Sequence, residues 1–219
     1  IKSYATKPDF GDVDLLIVAQ ELPLNWRELL AAHFNSRGYV LNGDVTSMEI
    51  HNVQFDFINC QAVNKDWTEI YFAYNDLGNL MGRIANQMGF KYGHKGLIYL
   101  LRDERKDHVL ASIELHQNAP EVFDFLGYDY TKWQQGFQKL EDIFEFVVSS
   151  KWFSSEIFLL QNRNYTSRVR DAKRKSYTAF LTWCEDNHQR LNQFNWKNKT
   201  IDYAIFHLER ACKKWPELA

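Results

Sequence analysis

The first apolar run along the chain predicts a buried strand followed by a helix. Residues 13–19 are almost continuously apolar and follow Gly11, a pattern typical of a strand inside a sheet. Asn25 stands three residues before Glu28, the spacing of a capping box, and apolar residues then recur with helical spacing. We therefore expect a strand and then a helix that begins near Asn25 and is stopped by Gly38.

The next apolar positions predict a hairpin that leads into another strand. Residues 39–41 and 47–50 flank the turn-forming sequence Asn-Gly-Asp at 42–44. Residues 53–60 follow as a longer strand. Because side chains alternate along a strand, Asp56 projects from one face of the sheet while the neighbouring phenylalanines project from the other.

The middle of the chain predicts a broken helix and a second hairpin. Residues 68–88 have helical spacing, with a break at 75–76. Residues 97–101 and 108–115 form the strands of the hairpin around a charged turn at 102–107. Three glycines between the helix and the hairpin indicate a turn-rich link: Gly89, Gly93 and Gly96.

From residue 119 onward the apolar spacing is helical almost to the end. The predicted helices cover residues 137–148, 152–160, 167–187 and 201–215. Together with the strands, this pattern predicts an α+β fold, in which a mixed or antiparallel sheet is backed by helices and followed by a mainly helical C-terminal part.

The composition indicates a folded intracellular protein. Of the 219 residues, 45% are hydrophobic and 25% are charged, which is not the composition of a disordered chain. No apolar stretch reaches the ~18 residues of a membrane span. The cysteines, at positions 60, 184 and 212, are odd in number and far apart, which argues against a disulfide framework or a zinc cluster. We expect a cytoplasmic or nuclear location without a membrane partner.

The net charge of −2 conceals an uneven distribution. Residues 1–160 carry 14 basic and 22 acidic side chains, whereas residues 161–219 carry 12 and 6. As one helix, the densest basic stretch would turn Arg163, Arg170 and Arg174 toward a row of phosphates. Its other face, with Tyr177 and Phe180, would pack on the core. The alternative is the solvated face of an ordinary helix. The stretch comprises Arg163, Arg168, Arg170, Lys173, Arg174 and Lys175, with Asp171 opposing them.

Three aspartates have the spacing of a cation site. Asp12 and Asp14 are two residues apart at the start of the first strand, so both side chains point to the same side. Asp56 completes the set if its strand lies beside the first. Mg²⁺ prefers oxygen ligands and keeps positions open for substrate phosphates, which suits phosphoryl transfer. The alternative is a strand edge with solvated carboxylates.

The spacing of residues 3–16 resembles the signature of the nucleotidyltransferase superfamily. Ser3 precedes the sequence Gly-Asp-Val-Asp-Leu-Leu at residues 11–16, and residues 53–58 look like the strand that carries the third catalytic carboxylate. Within the superfamily, the chain is most similar to family X DNA polymerases, the group of DNA polymerase beta and terminal deoxynucleotidyltransferase. The resemblance covers residues 1–130. Its other matching positions are Tyr71-Phe72, Asn79, Arg83, Ala85, Gly89, Gly96-Leu97 and residues 122–130.

This resemblance implies three regions and one reaction. Residues 1–66 would form the palm, residues 67–130 a thumb-like nucleotide-binding region, and residues 131–219 a basic helical extension. The implied reaction adds nucleotides to a 3′-hydroxyl with release of pyrophosphate, as in a small DNA polymerase or terminal transferase. The implied partners are a nucleoside triphosphate and a DNA primer-template or single-stranded nucleic acid. DNA repair is an implied role, and viral and phage proteins often carry trimmed cores of this kind.

The resemblance also implies roles for individual residues. Asp12 and Asp14 would bind two Mg²⁺ ions, for which Mn²⁺ can substitute. Asp56 would bind the catalytic ion and help to accept the proton of the primer hydroxyl. Packing or solvation is the alternative for the thumb residues. The implied substrate contacts are Ser3 to a terminal phosphate, Tyr71 and Phe72 to the sugar, Asp76 and Asn79 to the incoming base, and Arg83 to the templating strand.

Four positions depart from the family pattern. Lys2 replaces the glycine before the serine, and Thr6 and Gln54 replace arginines near the triphosphate. Tyr74 replaces the glycine of the sugar pocket. Lys2 or Lys7 would have to supply the missing positive charge, although a lysine is a point charge and not a bidentate fork.

Two other functions stay open at this point. Members of the superfamily also modify RNA, proteins or small molecules. A non-catalytic protein that binds nucleic acid would keep the fold around a relict site. The intact set of aspartates counts against a relict site, whereas the substitutions at Lys2, Thr6 and Gln54 count for it.

Overall fold

The structure is an α+β fold with two sheets and surrounding helices. A computed structural model describes residues 1–18, 21–103, 108–116 and 118–216. The strands are β1 (Asp12–Val18), β2 (Tyr39–Asn42), β3 (Val45–Ile50), β4 (Val53–Cys60), β5 (Phe90–Gly93), β6 (Gly96–Arg102) and β7 (Val109–His116). The α-helices are α1 (Trp26–His33), α2 (Lys65–Phe72), α3 (Leu77–Gln87), α4 (Ala119–Phe125), α5 (Tyr130–Gln135), α6 (Leu140–Val148), α7 (Tyr165–Ala172), α8 (Lys175–Asp186) and α9 (Tyr203–Lys214). Short 3₁₀ turns cover Ala62–Asn64, Ser155–Phe158, Leu160–Asn162 and His188–Arg190.

The first sheet is mixed. Its strand order is β1-β4-β3-β2, with β1 parallel to β4 and the other neighbours antiparallel. The predicted hairpin is confirmed as β2 and β3, joined by a tight turn in which Gly43 has a φ of 62°. Trp26 of α1 forms a small core with Met48, Ile50 and Phe57 on one face of this sheet.

The strands of the mixed sheet agree with the sequence pattern. The predicted strand at 53–60 is confirmed as β4, and the strand predicted at 13–19 is β1, although residue 19 lies outside the described part of the chain. The capping box at Asn25 is wrong. Its side chain makes no capping hydrogen bond, and Glu28 instead accepts one from the Tyr39 hydroxyl at 2.6 Å. The helix also ends at His33, well before Gly38.

The second sheet has three antiparallel strands in the order β5-β6-β7. The hairpin of β6 and β7 is confirmed, and residues 104–107 of its predicted turn lie outside the described residues. The prediction of a turn-rich link over residues 89–96 is wrong, because buried Phe90 and Tyr92 place β5 there. Gly89 precedes β5 and Gly96 begins β6, where they adopt φ values of 93° and 115°.

The break in the helical segment at 68–88 is confirmed. The helix α2 begins at Lys65 and ends at Phe72, and α3 begins at Leu77. Between them, Tyr74 and Asn75 have φ values of 62° and 61°, which no helix accommodates.

One predicted C-terminal helix is replaced by irregular chain. The helix expected at 152–160 is wrong, and only two short 3₁₀ turns form there. The backbone of this segment is bonded elsewhere: the Phe153 carbonyl accepts from the Phe194 amide at 2.6 Å, and the Ser155 amide donates to the Gln193 side chain at 2.8 Å. These long-range bonds use groups that a continuous helix would need for itself.

A second predicted helix is divided in two. The segment expected as one helix over 167–187 consists of α7 and α8. Arg174 and Ser176, at the break, both bind the carboxylate of Asp76 before α3, and this contact turns the chain out of the helical path. The helices predicted at 137–148 and 201–215 are confirmed as α6 and α9, with slightly shorter bounds.

A large hydrophobic core joins the middle and the end of the chain. It extends from Trp67 to Trp215 and includes residues of α3, β5, α4, α6 and α8. Tyr177 and Phe180 are fully buried in it, as predicted. Within the described ranges, no helix has both the length and the apolar character needed to cross a bilayer.

Candidate functional site

The three predicted aspartates lie close together on one face of two neighbouring strands, opposite the face that carries the small core. Because β1 and β4 are parallel partners, Asp14 lies directly opposite Asp56, and Asp12 lies opposite Gln54. One carboxylate oxygen from each aspartate lies within 4.8 Å of the other two. These side chains project from the face opposite Phe57, which faces the small core. The structure thus forms one carboxylate cluster: Asp12, Asp14 and Asp56.

The carboxylate cluster is electrostatically unfavourable without a cation. Burial raises the pKa of Asp14, and the negative charges of Asp12 and Asp56 raise it further, while nearby Lys7 opposes the shift. The Gln54 amide donates to Asp56 Oδ1 at 3.0 Å and fixes the orientation of that side chain. A bound divalent cation would relieve the repulsion, and three carboxylates from rigid strands are a suitable donor set for Mg²⁺.

The N-terminal segment lines the same cavity as two of the aspartates. This cavity, of about 270 Å³, is lined by Asp12 and Asp14 together with Lys2, Ser3 and Lys7, by Phe72 at the end of α2, and by Asn75 between α2 and α3. The structure therefore brings the predicted residues Lys2, Ser3 and Phe72 next to the carboxylate cluster. Lys2 Nζ lies 5.3 Å from the centroid of the Trp133 ring, and Lys7 Nζ lies 4.5 Å from that of Phe10.

Backbone hydrogen bonds hold this segment in place. The Tyr74 amide donates to the Lys2 carbonyl at 2.8 Å. The amides of Ala5 and Thr6 donate to the carbonyls of Phe137 and Gln138, both at 2.9 Å. The buried ring of Tyr74 packs edge-on against the rings of Trp133 and Phe137 and helps to hold this region together.

The other residues that the resemblance singled out on and before α3 contact the chain after residue 130. Asp76 is bound by Arg174 and Ser176, as noted above. The Asn79 side chain accepts from Arg170 Nη2 at 3.3 Å, and Arg83 Nη2 donates to the Ile157 carbonyl at 2.7 Å. The family resemblance stops at residue 130, so it carried no information about these partners.

Three arginines line a groove between α3 and α7. It has a volume of about 420 Å³, and we call it the basic groove. Burial lowers the pKa of Arg83 to about 10, with nearby Arg163 contributing. Arg163 Nη2 lies 2.8 Å from Asp171 Oδ2, and their side chains are 5% and 0% exposed. The residues that line the groove include Tyr71, Asn79, Arg83, Lys91, Arg163, Asn164, Ser167 and Arg170.

The basic stretch is not one helical face. Arg163 precedes α7, and Arg174 stands at the start of α8, so the predicted row of Arg163, Arg170 and Arg174 on one helix is wrong. All three are engaged within the protein, by Asp171 and Asp76. The other members of the stretch, Arg168, Lys173 and Lys175, are exposed.

A further polar cluster was not predicted. His94 Nε2 lies 2.7 Å from Asp44 Oδ2, and Lys95 Nζ lies 3.3 Å from the same oxygen. The three residues line a cavity of about 590 Å³ between the two sheets. Both turns are visible in the sequence, but their proximity depends on how the sheets pack, and sequence spacing does not report that. The His94 ring also lies 6.0 Å from that of Phe72, beside the carboxylate cavity.

Comparison with known proteins finds no matching family model, no matching curated protein and no matching solved structure. The function is therefore inferred from the residues and their geometry.

Proposed function

We propose that this protein is a Mg²⁺-dependent nucleotidyltransferase that transfers a nucleoside monophosphate to a hydroxyl with release of pyrophosphate. A small family X-like DNA polymerase or terminal transferase fits best. The observation that carries the proposal is the convergence of Asp12, Asp14 and Asp56 from adjacent parallel strands, within 4.8 Å of one another. The sequence resemblance of residues 1–130 supports the same chemistry.

In this proposal the carboxylate cluster holds the metal and receives a proton. Asp12 and Asp14 would hold two Mg²⁺ ions, or Mn²⁺ in their place, and Asp56 would be the third ligand. Bound Mg²⁺ would neutralise phosphate charge and align the reactants. The acceptor 3′-hydroxyl oxygen attacks the α-phosphorus in line with the bond to pyrophosphate, which breaks. Asp56, oriented by Gln54 at 3.0 Å, accepts the proton of the hydroxyl.

The cavity wall supports a role in holding the triphosphate. Ser3 offers a hydroxyl, and Lys2 and Lys7 offer positive charge on the side facing Asp12 and Asp14. Phe72 closes the same cavity and fits the sugar of the incoming nucleotide. Thr6 and Gln54 stand where the family pattern has arginines. Lys2 and Lys7 then supply point charges in place of bidentate forks, so we propose weaker binding of the triphosphate, reflected in a high KM.

The thumb residues are proposed to act in two groups. Tyr71, Asn79 and Arg83 line the basic groove. Our proposal gives them contacts with a nucleic-acid strand. Asp76 is held by Arg174 and Ser176, which favours a role in fixing the C-terminal extension to α3 over a direct contact with the base. The exposed residues Arg168, Lys173 and Lys175 extend the proposed contact with the backbone.

A labelled-primer extension assay tests the proposal. The purified protein is incubated with Mg²⁺ and each dNTP or NTP, with and without a template strand. We expect nucleotide addition by the wild type and a loss of at least ~10³-fold in rate for Asp14→Asn and for Asp56→Asn, because each removes a ligand charge. Asp186→Asn, an exposed position at the end of α8, is the matched control and should keep the wild-type rate.

Two outcomes of this assay would count against the proposal. Near-wild-type rates in Asp14→Asn and Asp56→Asn would show that the carboxylate cluster does not carry the chemistry. Absence of any transfer by the wild type would favour the non-catalytic alternative. In a parallel incubation with α-³²P-labelled nucleotides, labelling of RNA, protein or a small molecule without extension of the DNA primer would retain the nucleotidyltransferase and replace its acceptor.

A further inference from the structure

We infer that the basic groove between α3 and α7 is a phosphate-binding pocket, and that it holds a backbone phosphate of a nucleic-acid strand. The charge and hydrogen bonding of the groove residues support phosphate binding by themselves. The assignment of the phosphate to a nucleic acid rests on the proposed function.

The charge of the groove is strongly unbalanced. Arg83, Arg163, Arg170 and Lys91 line it, and no carboxylate is present among its described lining residues. Asp171, packed behind Arg163, offsets only one of these charges. The pKa of Arg83 is lowered to about 10 by burial and by Arg163, which indicates that these cations repel one another at close range. An anion in the groove would remove that repulsion.

Buried donors in the groove lack acceptors. The Arg163 side chain is 5% exposed, and within the described chain neither its Nε nor its Nη1 has a hydrogen-bond partner. The Nδ2 atom of Asn79 is buried in the same way. A buried charged donor without an acceptor costs folding free energy, so it is seldom retained without a use. Phosphate oxygens supply acceptors of the required charge.

The other groups of the groove are already oriented. Arg83 is fixed by the Ile157 carbonyl at 2.7 Å and by Asn86 at 3.2 Å, and Arg170 is fixed by Asp171 at 3.0 Å. The first turn of α7 also faces the groove through Asn164 and Ser167, so the positive end of that helix adds to the potential. Guanidinium groups that are already held by hydrogen bonds lose little side-chain freedom when they bind a phosphate.

The position of the groove identifies the source of the phosphate. Tyr71 lines the basic groove, while its neighbour Phe72 lines the carboxylate cavity, and their ring centroids are 5.1 Å apart. The groove is thus a second subsite on the other side of the α2 terminus. Its volume of about 420 Å³ has room for a phosphodiester with parts of its sugars. A strand whose end reaches the carboxylate cluster would place a nearby phosphate in this groove.

Binding of inorganic phosphate tests the pocket directly. Titration is followed by ³¹P NMR line broadening and by thermal shift, against chloride at equal ionic strength and without metal. Arg170→Gln is the main variant, because its side chain is 50% exposed and the Arg163–Asp171 pair stays intact without it. We expect phosphate affinity to fall about tenfold in Arg170→Gln, the loss of roughly one charge-assisted contact. Lys91→Gln, at an exposed position of the same groove, should also weaken binding.

The matched control is Arg37→Gln, which makes the same chemical change at an exposed position outside the groove. It should bind phosphate like the wild type. If Arg170→Gln and Lys91→Gln also bind like the wild type, or if phosphate has no more effect than chloride, the pocket is refuted. Asp14→Asn should retain phosphate binding, so a failure of the proposed catalysis and a failure of the pocket give different results.

A second arm identifies the source of the phosphate. A single-stranded 12-mer and a nucleoside 5′-monophosphate are titrated into the wild type and Arg170→Gln by fluorescence anisotropy and calorimetry. We expect the wild type to bind the 12-mer more tightly than the mononucleotide, and Arg170→Gln to lose most of that difference. Equal affinities for both ligands would overturn the assignment to a nucleic-acid strand.

Discussion

His207 on α9 is a titratable residue that is buried among aromatic side chains. Its side chain is fully buried, and the rings of Trp152 and Phe206 lie 4.7 Å and 5.0 Å from its own. Arg210 Nη1 lies 2.6 Å from Nδ1. Burial, followed by the charges of Arg210 and Lys151, lowers the pKa of His207 to about 3. The imidazole is therefore neutral at pH 7, and Nδ1 accepts a hydrogen bond from Arg210.

This residue predicts a specific acid sensitivity. Between pH 6.5 and 3 the unfolded chain binds a proton at His207 that the folded protein does not, so the free energy of unfolding falls as pH drops through 6.5. One proton allows a slope of at most about 1.4 kcal/mol per pH unit. We expect His207→Gln to have a smaller slope than the wild type in urea unfolding between pH 7 and 5. The control His188→Gln, at an exposed position, should keep the wild-type slope of unfolding free energy against pH. An unchanged slope in His207→Gln would contradict the prediction.

At the scale of elements, Asp171 connects α7 to the segment before it. Its buried carboxylate lies 2.8 Å from Arg163 Nη2 and 3.0 Å from Arg170 Nε. Removing this charge leaves Arg163 buried without compensation, which costs much more than the loss of a surface ion pair. The position of α7 relative to Arg163 therefore depends on one buried carboxylate.

We expect Asp171→Asn to reduce the free energy of unfolding by about 3 kcal/mol, measured by denaturant titration at pH 7. The matched control is Asp186→Asn, at the exposed end of α8, which should change stability by less than about 0.5 kcal/mol. A loss in Asp171→Asn no larger than in the control would mean that water reaches Arg163 and compensates its charge.

Local pattern accounts for some elements and long-range contacts account for others. The strands β1 and β4 follow from their apolar runs, and their two-residue period already places Asp12, Asp14 and Asp56 on one side. The division of α7 from α8 depends on Asp76, ~100 residues away in sequence, because Arg174 binds it. No window of neighbouring residues contains that information.

The candidate site also has one part that the sequence predicts and another part that depends on long-range packing. Spacing and family resemblance predicted the carboxylate cluster, since strand period and strand adjacency determine it. The basic groove could not be predicted, because it joins Arg83 on α3 to Arg163 and Arg170 near α7. The pattern showed a dense basic stretch but not which of its residues turn inward.

At the scale of the whole molecule, basic side chains are concentrated in the C-terminal part of the chain, and some of them form ion pairs within the protein. The C-terminal 59 residues hold 12 basic and 6 acidic side chains, yet Arg163, Arg170 and Arg174 are tied to aspartates. Long-range attraction for a polyanion therefore depends on the exposed members of the stretch, Lys173 and Lys175 among them.

We expect the double variant Lys173→Gln, Lys175→Gln to bind a primer-template with a weaker dependence on salt. Two fewer cations release fewer counterions, so the slope of log K against log salt should fall by roughly one to two units. Fluorescence anisotropy between low and moderate salt measures this slope. Lys132→Gln, Lys213→Gln, an equal charge change at exposed positions elsewhere, is the control. If the slope falls equally in both double variants, the net charge of the protein determines the salt dependence, and the position of the lysines does not.

The hydrogen bonds of the N-terminal segment have a consequence for the order of biosynthesis. Ala5 and Thr6 bond to Phe137 and Gln138, so one wall of the carboxylate cavity is completed by chain translated far later. While a ribosome is still adding the residues between them, β1 and β4 can already pair and Tyr74 can bond to Lys2, but the segment lacks its two bonds to Phe137 and Gln138. A nascent chain that ends before Phe137 would therefore present the aspartates beside a wall that is only partly held, and the carboxylate cavity would reach its final form late in translation.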